Sequence, residues 1–431
     1  MAQPREAPPG DLPPGNLIGR QVGRYSVISH LASGGMAELY IARQQSVGGF
    51  EKQVVLKILQ PRYAKNARVV QMFLDEARLA AKLNHPAIVH VYDVADDAGL
   101  KYIAMEYIHG ETIADIVKRG LAVDRYLPME HAIHIVRQTA AGLAYAHERR
   151  EPDGRVVRIV HRDVSPTNIL VTYEGQTEIV DFGIARAQDE LREETGILPG
   201  KASYMSPEQV RGEAVDHRSD IFALGILLYE LTLCQRLYRG PADAVMKRIV
   251  GERVPPPTAV RRDYPAALEL IVMRALERRP EDRYQSAQEM HDDLEGFLSE
   301  SGLRSGNRRV AIYMSDLFAS DAGAGGPGGR GTEGDEPEAL DFDRRAPLSM
   351  RIQPAVAETE RRASPPGGLG TAPRTATPVT TRVSPTAEVA ARHDPRHDTE
   401  ESPAGRSRGS WIILVAFILL GVAAMAILTL R

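Results

Sequence analysis

The sequence is poor in cysteine, in net charge and, at its start, in apolar residues, and each shortage excludes a class of protein. It has one cysteine among 431 residues, Cys234, so a disulfide framework is excluded and a plain buried thiol is expected. The formal net charge is −4, which gives no sign of the clustered basic face that a nucleic-acid partner favours. The N-terminus lacks the apolar stretch of a signal peptide.

Large apolar side chains are also scarce in residues 1–21 and in residues 321–409. Both stretches are rich in proline and glycine, and the second is also rich in serine and threonine. Such segments bury too little apolar area to offset the entropy of ordering the chain. We therefore expect a disordered tail, a folded part at 22–300, a short helical extension at 301–320 and a long disordered linker.

The C-terminal run 411–430 has the opposite composition, with twenty uncharged residues, enough to cross a bilayer as a helix. A buried helix of a soluble core is the alternative, but the preceding linker is predicted to be disordered and nothing remains to pack around the helix. Arg406 and Arg408 precede the run and only Arg431 follows it. The bias of basic residues therefore predicts a single-pass anchor with the N-terminal part in the cytoplasm.

The folded part divides into two halves by its periodicity. Residues 22–58 alternate like β-strands, and residues 73–84 have the spacing of a helix. Two further strands follow, separated by a turn at Ala98–Gly99. After Gly110 the apolar residues recur with the helical period. The sequence thus predicts an α+β protein with a small, mostly antiparallel sheet followed by a larger helical half.

A phosphate-binding arrangement is indicated by three features in order. The segment LASGGMAELY (31–40) places two glycines between strands, where backbone amides can approach phosphate oxygens. On its own, a pair of glycines between two strands is more often a plain hairpin than a nucleotide site. Lys57 on the next strand and Glu76 on the next helix add an ion pair that would position the lysine.

Five further motifs follow. They are HRDVSPTNIL (161–170), DFG (181–183), SYMSPE (203–208), DHRSDIFALG (216–225) and RRPEDRY (278–284). In this order they resemble the eukaryotic-like (Hanks-type) protein kinases of bacteria, over about residues 22–298. The HRDxSP loop is similar to that of a myxobacterial subgroup.

The resemblance implies a bilobal kinase fold, with an N-lobe at about 22–108 and a C-lobe at about 109–300. It implies a cofactor pair of ATP and Mg²⁺ (or Mn²⁺). It implies that Asp163 accepts the proton of the substrate hydroxyl and that Asn168 and Asp181 bind the metal. It also implies an ion pair between Glu208 and Arg283, and an anchoring role for Asp220.

The nucleotide site follows from the same resemblance. Backbone groups of Glu106 and Ile108 would contact adenine, with Met105 behind the pocket, Leu170 as its floor and Val55 as its roof. The loop over the phosphates would comprise Leu31, Ala32, Ser33, Gly34, Gly35, Met36, Ala37, Glu38 and Leu39. Ala32 and Ala37 replace the family's first and third glycines, which predicts a stiffer loop.

The catalytic loop also departs from the family pattern, because Ser165 stands where a lysine is usual. Lys201 stands where the family has a threonine that contacts that lysine. We expect Lys201 to supply the missing charge and Ser165 to accept the hydrogen bond of the absent threonine.

The leading hypothesis is a serine/threonine kinase that acts on proteins, lies in the bacterial inner membrane and keeps its kinase domain in the cytoplasm. Thr195 is the expected activation-loop phosphosite, paired with Arg162, and a homodimer would permit autophosphorylation in trans. A nucleotide-binding pseudokinase scaffold is the alternative. A third hypothesis makes the linker a phosphorylated docking tail, through Ser364, Thr377 and Ser384, each followed by proline; a passive tether is the alternative to it.

Overall fold

The computed structural model describes residues 17–45, 49–151, 153–182 and 201–319. The predicted membrane helix at 411–430, the linker at 321–409, Thr195 and the side chain of Lys201 lie outside the described residues. Within the described ranges, no helix is both long enough and apolar enough to cross a bilayer.

The described part of the N-lobe is a six-stranded antiparallel sheet with one α-helix, where the sequence predicted a small, mostly antiparallel sheet with one helix. Its strands lie in the order β1-β2-β3-β4-β6-β5. Their bounds are Gln21–Val22 (β1), Tyr25–Ser33 (β2), Ala37–Gln45 (β3), Glu51–Leu59 (β4), Val91–Asp97 (β5) and Leu100–Glu106 (β6). Ala98 and Gly99 form the turn between the last two strands with φ angles of 50° and 90°.

Helix α1 spans Ala67–Ala80, so its predicted limits of 73–84 are wrong. The Asn66 side chain caps the helix by accepting hydrogen bonds from the amides of Arg68 and Val69, which starts it earlier. Glu76 therefore lies past the middle of the helix, on its buried face.

The prediction that residues 1–21 are disordered is also wrong for residues 17–21. Leu17 is 7% exposed and packs in the apolar cluster that contains Val22 and Tyr25. The amide of Gly19 donates to the carbonyl of Val27 at 2.9 Å. Burial of one leucine against the sheet thus adds residues 17–21 to the fold.

The C-lobe is mainly helical. The α-helices of its described part are Ile113–Ala122 (α2), Met129–His147 (α3), Pro207–Arg211 (α4), Arg218–Leu233 (α5), Ala242–Gly251 (α6), Pro257–Val260 (α7), Ala266–Ala275 (α8), Ala287–Ser301 (α9) and Asn307–Phe318 (α10). Helix α5 is apolar on all sides and fills the centre of the lobe, packed against α3 and α8. Cys234 caps α5 as a buried residue, and burial raises the pKa of its thiol to about 11.

A three-stranded sheet faces the N-lobe. Strands β7 (Gly110–Thr112), β8 (Ile169–Thr172) and β9 (Thr177–Ile179) pair in that order. A short hairpin follows α3: the amide of Val157 donates to the carbonyl of Arg149 at 2.7 Å, and Gly154 turns the chain at φ 84°.

Candidate active site

Lys57 lies at the centre of a buried ion-pair network. Its Nζ donates to Glu76 Oε1 and to Asp181 Oδ1, each at 2.9 Å, and its side chain is 5% exposed. Burial opposes the charged form, but the carboxylates of Asp181 and Glu76 outweigh it, so the pKa of Lys57 lies above its usual value. A strand, a helix and the start of DFG therefore meet at one fixed positive charge.

The glycine-rich turn lies between β2 and β3. The amide of Gly34 donates to the carbonyl of Ala37 at 2.8 Å, which closes the turn. Gly35 has open space around it, since an added Cβ would meet no atom within 4 Å. Neither Ala32 nor Ala37 has a positive φ angle, so alanine is unstrained at both positions.

The Glu38 side chain stabilises this turn through hydrogen bonds. Its side chain is 7% exposed and pairs with His30 Nε2 at 2.7 Å, while Ser33 Oγ donates to it at 2.7 Å. Gln60 Nε2 donates both to Glu38 Oε1 at 2.7 Å and to the carbonyl of Gly34 at 3.1 Å. Sequence reasoning missed Gln60, which ties the turn to the end of the Lys57 strand.

The residues predicted for adenine lie at the junction of the lobes. Val55 pairs with Met105 across β4 and β6, and Ile108 packs against the apolar cluster that contains both. Leu170 lies on β8, in register with Thr112.

The edges of this pocket are less enclosed. Leu31, predicted to cover the nucleotide, is 39% exposed on β2. Glu106 ends β6, and its amide donates to the carbonyl of His90 at 2.9 Å. Glu178, which the sequence did not single out, lies nearby; burial and the Glu106 carboxylate raise its pKa to about 7.

The catalytic loop is fixed by two buried side chains. Asp220 accepts hydrogen bonds from the amides of His161 at 2.8 Å and Arg162 at 2.7 Å. Burial alone would raise the pKa of Asp220, but its hydrogen bonds and charge interactions with His147 and His161 hold it below its usual value. Asn168 Nδ2 donates to the Asp163 backbone carbonyl at 2.8 Å and to Asp163 Oδ2 at 3.0 Å.

Two residues at this site adopt left-handed backbone conformations. Arg162 has a φ angle of 67° and Asp181 one of 61°. Such conformations cost a non-glycine residue about 1–3 kcal/mol and cluster at functional sites. Arg162 directly precedes the proposed base, Asp163, and Asp181 is the first residue of DFG.

Asn168 and Asp181 are brought together by the backbone, since the amide of Val180 donates to the carbonyl of Asn168 at 3.0 Å. Because the Asn168 amide nitrogen is bonded to Asp163, the oxygen of that side chain points away from this bond. One amide oxygen and one carboxylate suit a hard divalent cation that keeps water and phosphate as its other ligands. The residues present therefore fit Mg²⁺ or Mn²⁺.

Ser165 is 4% exposed, and its hydroxyl pairs with that of Thr167 at 3.0 Å. Thr167 was not among the predicted site residues, because a threonine between a proline and an asparagine gives no signal of its own. The predicted contact between Ser165 and Lys201 lies outside the described side chains and stays a prediction.

The predicted ion pair between Glu208 and Arg283 is present. Arg283 Nη1 and Nη2 donate to the two carboxylate oxygens of Glu208 at 2.7 and 2.8 Å. Arg283 also donates to the carbonyls of Glu277 and Arg218, so its guanidinium links three segments of the C-lobe.

A sequence model of the protein kinase domain matches residues 25–294, well over half of the chain. The chain therefore belongs to the protein kinase domain family, whose members use ATP and a divalent metal, and the predicted bilobal fold is confirmed.

The chain is similar to curated kinases of bacteria. It is 40% identical over 301 residues to tyrosine-protein kinase MasK of Myxococcus xanthus, covering 69% of this chain and 47% of MasK. It is 37% identical over 279 residues to serine/threonine-protein kinase PknB of Mycolicibacterium smegmatis, covering 63% of this chain and 42% of PknB. The chain thus spans about half the length of these relatives or less.

Among solved structures, it is similar to a double mutant of the PknI kinase domain of Mycobacterium tuberculosis. The TM-score is 0.50 at 28% identity, over 64% of this chain and 97% of that one.

Proposed function

We propose that the chain is an active serine/threonine protein kinase that transfers the γ-phosphoryl group of ATP to hydroxyl groups of proteins. One observation carries the proposal: Lys57 Nζ lies 2.9 Å from both Glu76 and Asp181. The pair of Lys57 with Glu76 is one of the parts that phosphoryl transfer requires in a kinase, and the contact with Asp181 brings the start of DFG to the same lysine, which supports the proposal. A pseudokinase scaffold has no need of all these parts together.

In the proposed reaction, Asp163 accepts the proton of the substrate hydroxyl as the hydroxyl oxygen attacks the γ-phosphorus. The bond from that phosphorus to the β–γ bridging oxygen breaks, and ADP leaves. Lys57 would hold phosphate oxygens of the nucleotide, and Asn168 and Asp181 would hold the metal. When bound, the divalent ion neutralises charge on the phosphates. Because the side chains of Lys57 and Glu76 are almost fully buried, little water screens their charges.

The choice of hydroxyl is proposed from the GGM turn and the YMSPEQ segment, which are similar to the serine/threonine branch. PknB is named as a serine/threonine kinase, whereas MasK is named as a tyrosine kinase. A tyrosine kinase is therefore the second candidate. Phosphoamino-acid analysis of the full-length chain, labelled with radioactive ATP and magnesium, separates the two. We expect phosphoserine and phosphothreonine; phosphotyrosine as the main product would favour the second candidate.

We also propose that the uncharged run 411–430 anchors the chain in the bacterial cell membrane, with the kinase domain in the cytoplasm. The support is the sequence alone. A truncation after residue 409 should release the protein from the membrane pellet and leave its activity per molecule within about twofold. A full-length chain that stays soluble without detergent would contradict the anchor.

A further inference from the structure

Helix α10 begins thirteen residues beyond the segment that matches the kinase family (294 to 307), yet it is built into the C-lobe. Four of its side chains join the same apolar core as α2 and α3: Val310, Tyr313, Met314 and Leu317. Each is at most 8% exposed. A helix with this much buried apolar surface is a part of the domain and not an appended arm.

The start of α10 is fixed to α3 and to the turn between β8 and β9. Asn307 Oδ1 accepts a hydrogen bond from Gln138 at 2.8 Å and pairs with His134 Nε2 at 3.0 Å. A Cβ added to Gly175, in the turn, would lie 1.9 Å from the Asn307 carbonyl oxygen. Only a glycine permits this approach, so the β8–β9 turn and the helix have no room to move independently.

The end of α10 is fixed to α2 and to the end of β8. Arg119 Nε donates to the carbonyl of Leu317 at 3.3 Å, and Arg125 Nη1 donates to that of Asp316 at 3.1 Å. Two cations thus satisfy carbonyls at the negative end of the helix dipole. The Phe318 ring then packs edge-on against the Tyr173 ring, with centroids 6.1 Å apart.

Tyr173 connects Phe318 to the hinge between the lobes, residues 106–111. Its amide donates to the carbonyl of His109 at 3.1 Å, and the two rings lie 4.8 Å apart. Its hydroxyl donates to Glu111 Oε1 at 2.7 Å. Between these residues, a Cβ on Gly110 would lie 2.3 Å from the Val171 carbonyl oxygen. The backbones are in close contact, so a displacement of Tyr173 displaces the hinge.

We propose that Phe318 is a positioning residue that acts through Tyr173 to hold residues 106–111 in the geometry that binds the nucleotide. The hinge residues proposed to contact adenine, Glu106 and Ile108, lie in the first half of this segment, and Tyr173 contacts His109 and Glu111 in its second half. ATP affinity therefore depends on a helix outside the matched family segment. This inference rests on the proposed function, because it concerns the same nucleotide site.

The test uses the full-length chain and three variants: Phe318→Ala, Phe318→Leu and Tyr173→Phe. Ile312→Ala is the matched control, since Ile312 lies on the same helix and is 55% exposed. The dissociation constant of a fluorescent ATP analogue, the KM for ATP and kcat are measured for each, together with the melting temperature.

Phe318→Ala should raise the dissociation constant and the KM for ATP by about three- to tenfold, the effect of one lost aromatic pair. It should change kcat at saturating ATP by less than about twofold. Phe318→Leu and Tyr173→Phe keep the apolar contact and should have smaller effects of the same kind, so the proposal stays testable if the alanine variant fails to fold. The control should match the parent.

Unchanged nucleotide affinity in the Phe318 and Tyr173 variants, with only a lower melting temperature, would overturn the positioning role and leave the proposed function intact. A parent chain that binds no nucleotide would overturn the proposed function itself, and the inference with it.

Discussion

Arg283 and Glu208 form a two-point ion pair that is almost fully removed from water. The side chains are 0% and 4% exposed, and the two N–O distances are 2.7 and 2.8 Å. The pair joins the segment before α9 to α4, which begins within the SYMSPE motif. Because neither charge can reach solvent, each depends on the other for compensation.

Glu208→Ala should therefore lower the free energy of unfolding by about 3–5 kcal/mol, since it leaves a buried guanidinium unpaired. The urea midpoint and slope of the folded domain's transition measure the loss. Glu213→Ala is the control: this exposed carboxylate lies 3.7 Å from Arg211, and its loss should cost at most about 1 kcal/mol. Equal effects of the two substitutions would show that burial of the pair contributes nothing.

Gln60→Leu should weaken ATP binding while leaving the Lys57 pairs in place. The substitution removes the bonds to Gly34 and Glu38 at almost constant volume, so the glycine-rich turn loses its tie to β4. Loss of hydrogen bonds of this kind predicts a KM for ATP raised by about three- to tenfold. Gln53→Leu, on the exposed part of the same strand, should leave the KM unchanged. A KM that rises equally in both variants would contradict this role.

Stability should fall as the pH is lowered from about 6.5 towards 4. Burial, with smaller contributions from His134 and Arg309, lowers the pKa of His131 from 6.5 to about 4. The neutral ring is thus favoured in the fold, and its contribution is complete above the unfolded pKa and lost as pH falls towards the folded one. Urea unfolding at pH 7, 5.5 and 4.5 measures the loss.

His131→Gln removes this titrating group and keeps a polar side chain beside Ser305, 2.9 Å from the histidine ring. The variant should therefore show a weaker dependence of stability on pH than the parent. Parallel stability curves for the two proteins would assign the acid sensitivity to other groups.

Lys201→Ala should lower kcat by at least about tenfold with little change in ATP affinity, if Lys201 replaces the absent catalytic-loop lysine. Ser165→Lys alone should give no gain, because two ammonium groups would crowd one site. Ser165→Lys combined with Lys201→Thr should recover much of the activity. Additive effects of the two substitutions in a double-mutant cycle would contradict the exchange. The Ser165 hydroxyl would then have a structural role alone, in its hydrogen bond with Thr167.

Thr195→Ala should slow turnover severalfold and remove one phosphate seen by mass spectrometry of the active chain. The reason is that a phosphate at this position brings nearly two negative charges, which would order the loop beside Arg162. Thr195→Glu should recover part of the activity, since it restores one charge. Full activity in the alanine variant would end the hypothesis.

The parts that the sequence predicted well are those with a strong local or motif signal. Strand alternation and the helical period located both lobes, and the order of motifs led to Lys57, Glu76 and Asp181, which the structure places in one network. The pair of Arg283 with Glu208 followed from resemblance alone, because 75 residues separate the partners in the chain.

The missed features depend on tertiary contacts that leave no pattern in the sequence. Asn66 was not recognised as a cap, so α1 was placed too late. Gln60 and Thr167 are ordinary polar residues until folding brings them to Glu38 and Ser165. The role of Gly175 needs the position of α10, which packs against it from more than a hundred residues away.

The central claim, that the site formed by Lys57, Asp163 and the residues around them performs phosphoryl transfer, is tested most directly by comparing the parent chain with Asp163→Asn. Transfer of radioactive phosphate to a basic test protein is measured together with the affinity for a fluorescent ATP analogue. The account predicts that the variant binds the nucleotide as the parent does but labels the protein at least about a hundredfold more slowly, since only the proton acceptor is lost. A parent chain that binds ATP and transfers no phosphate, or a variant that transfers it equally well, would contradict the account.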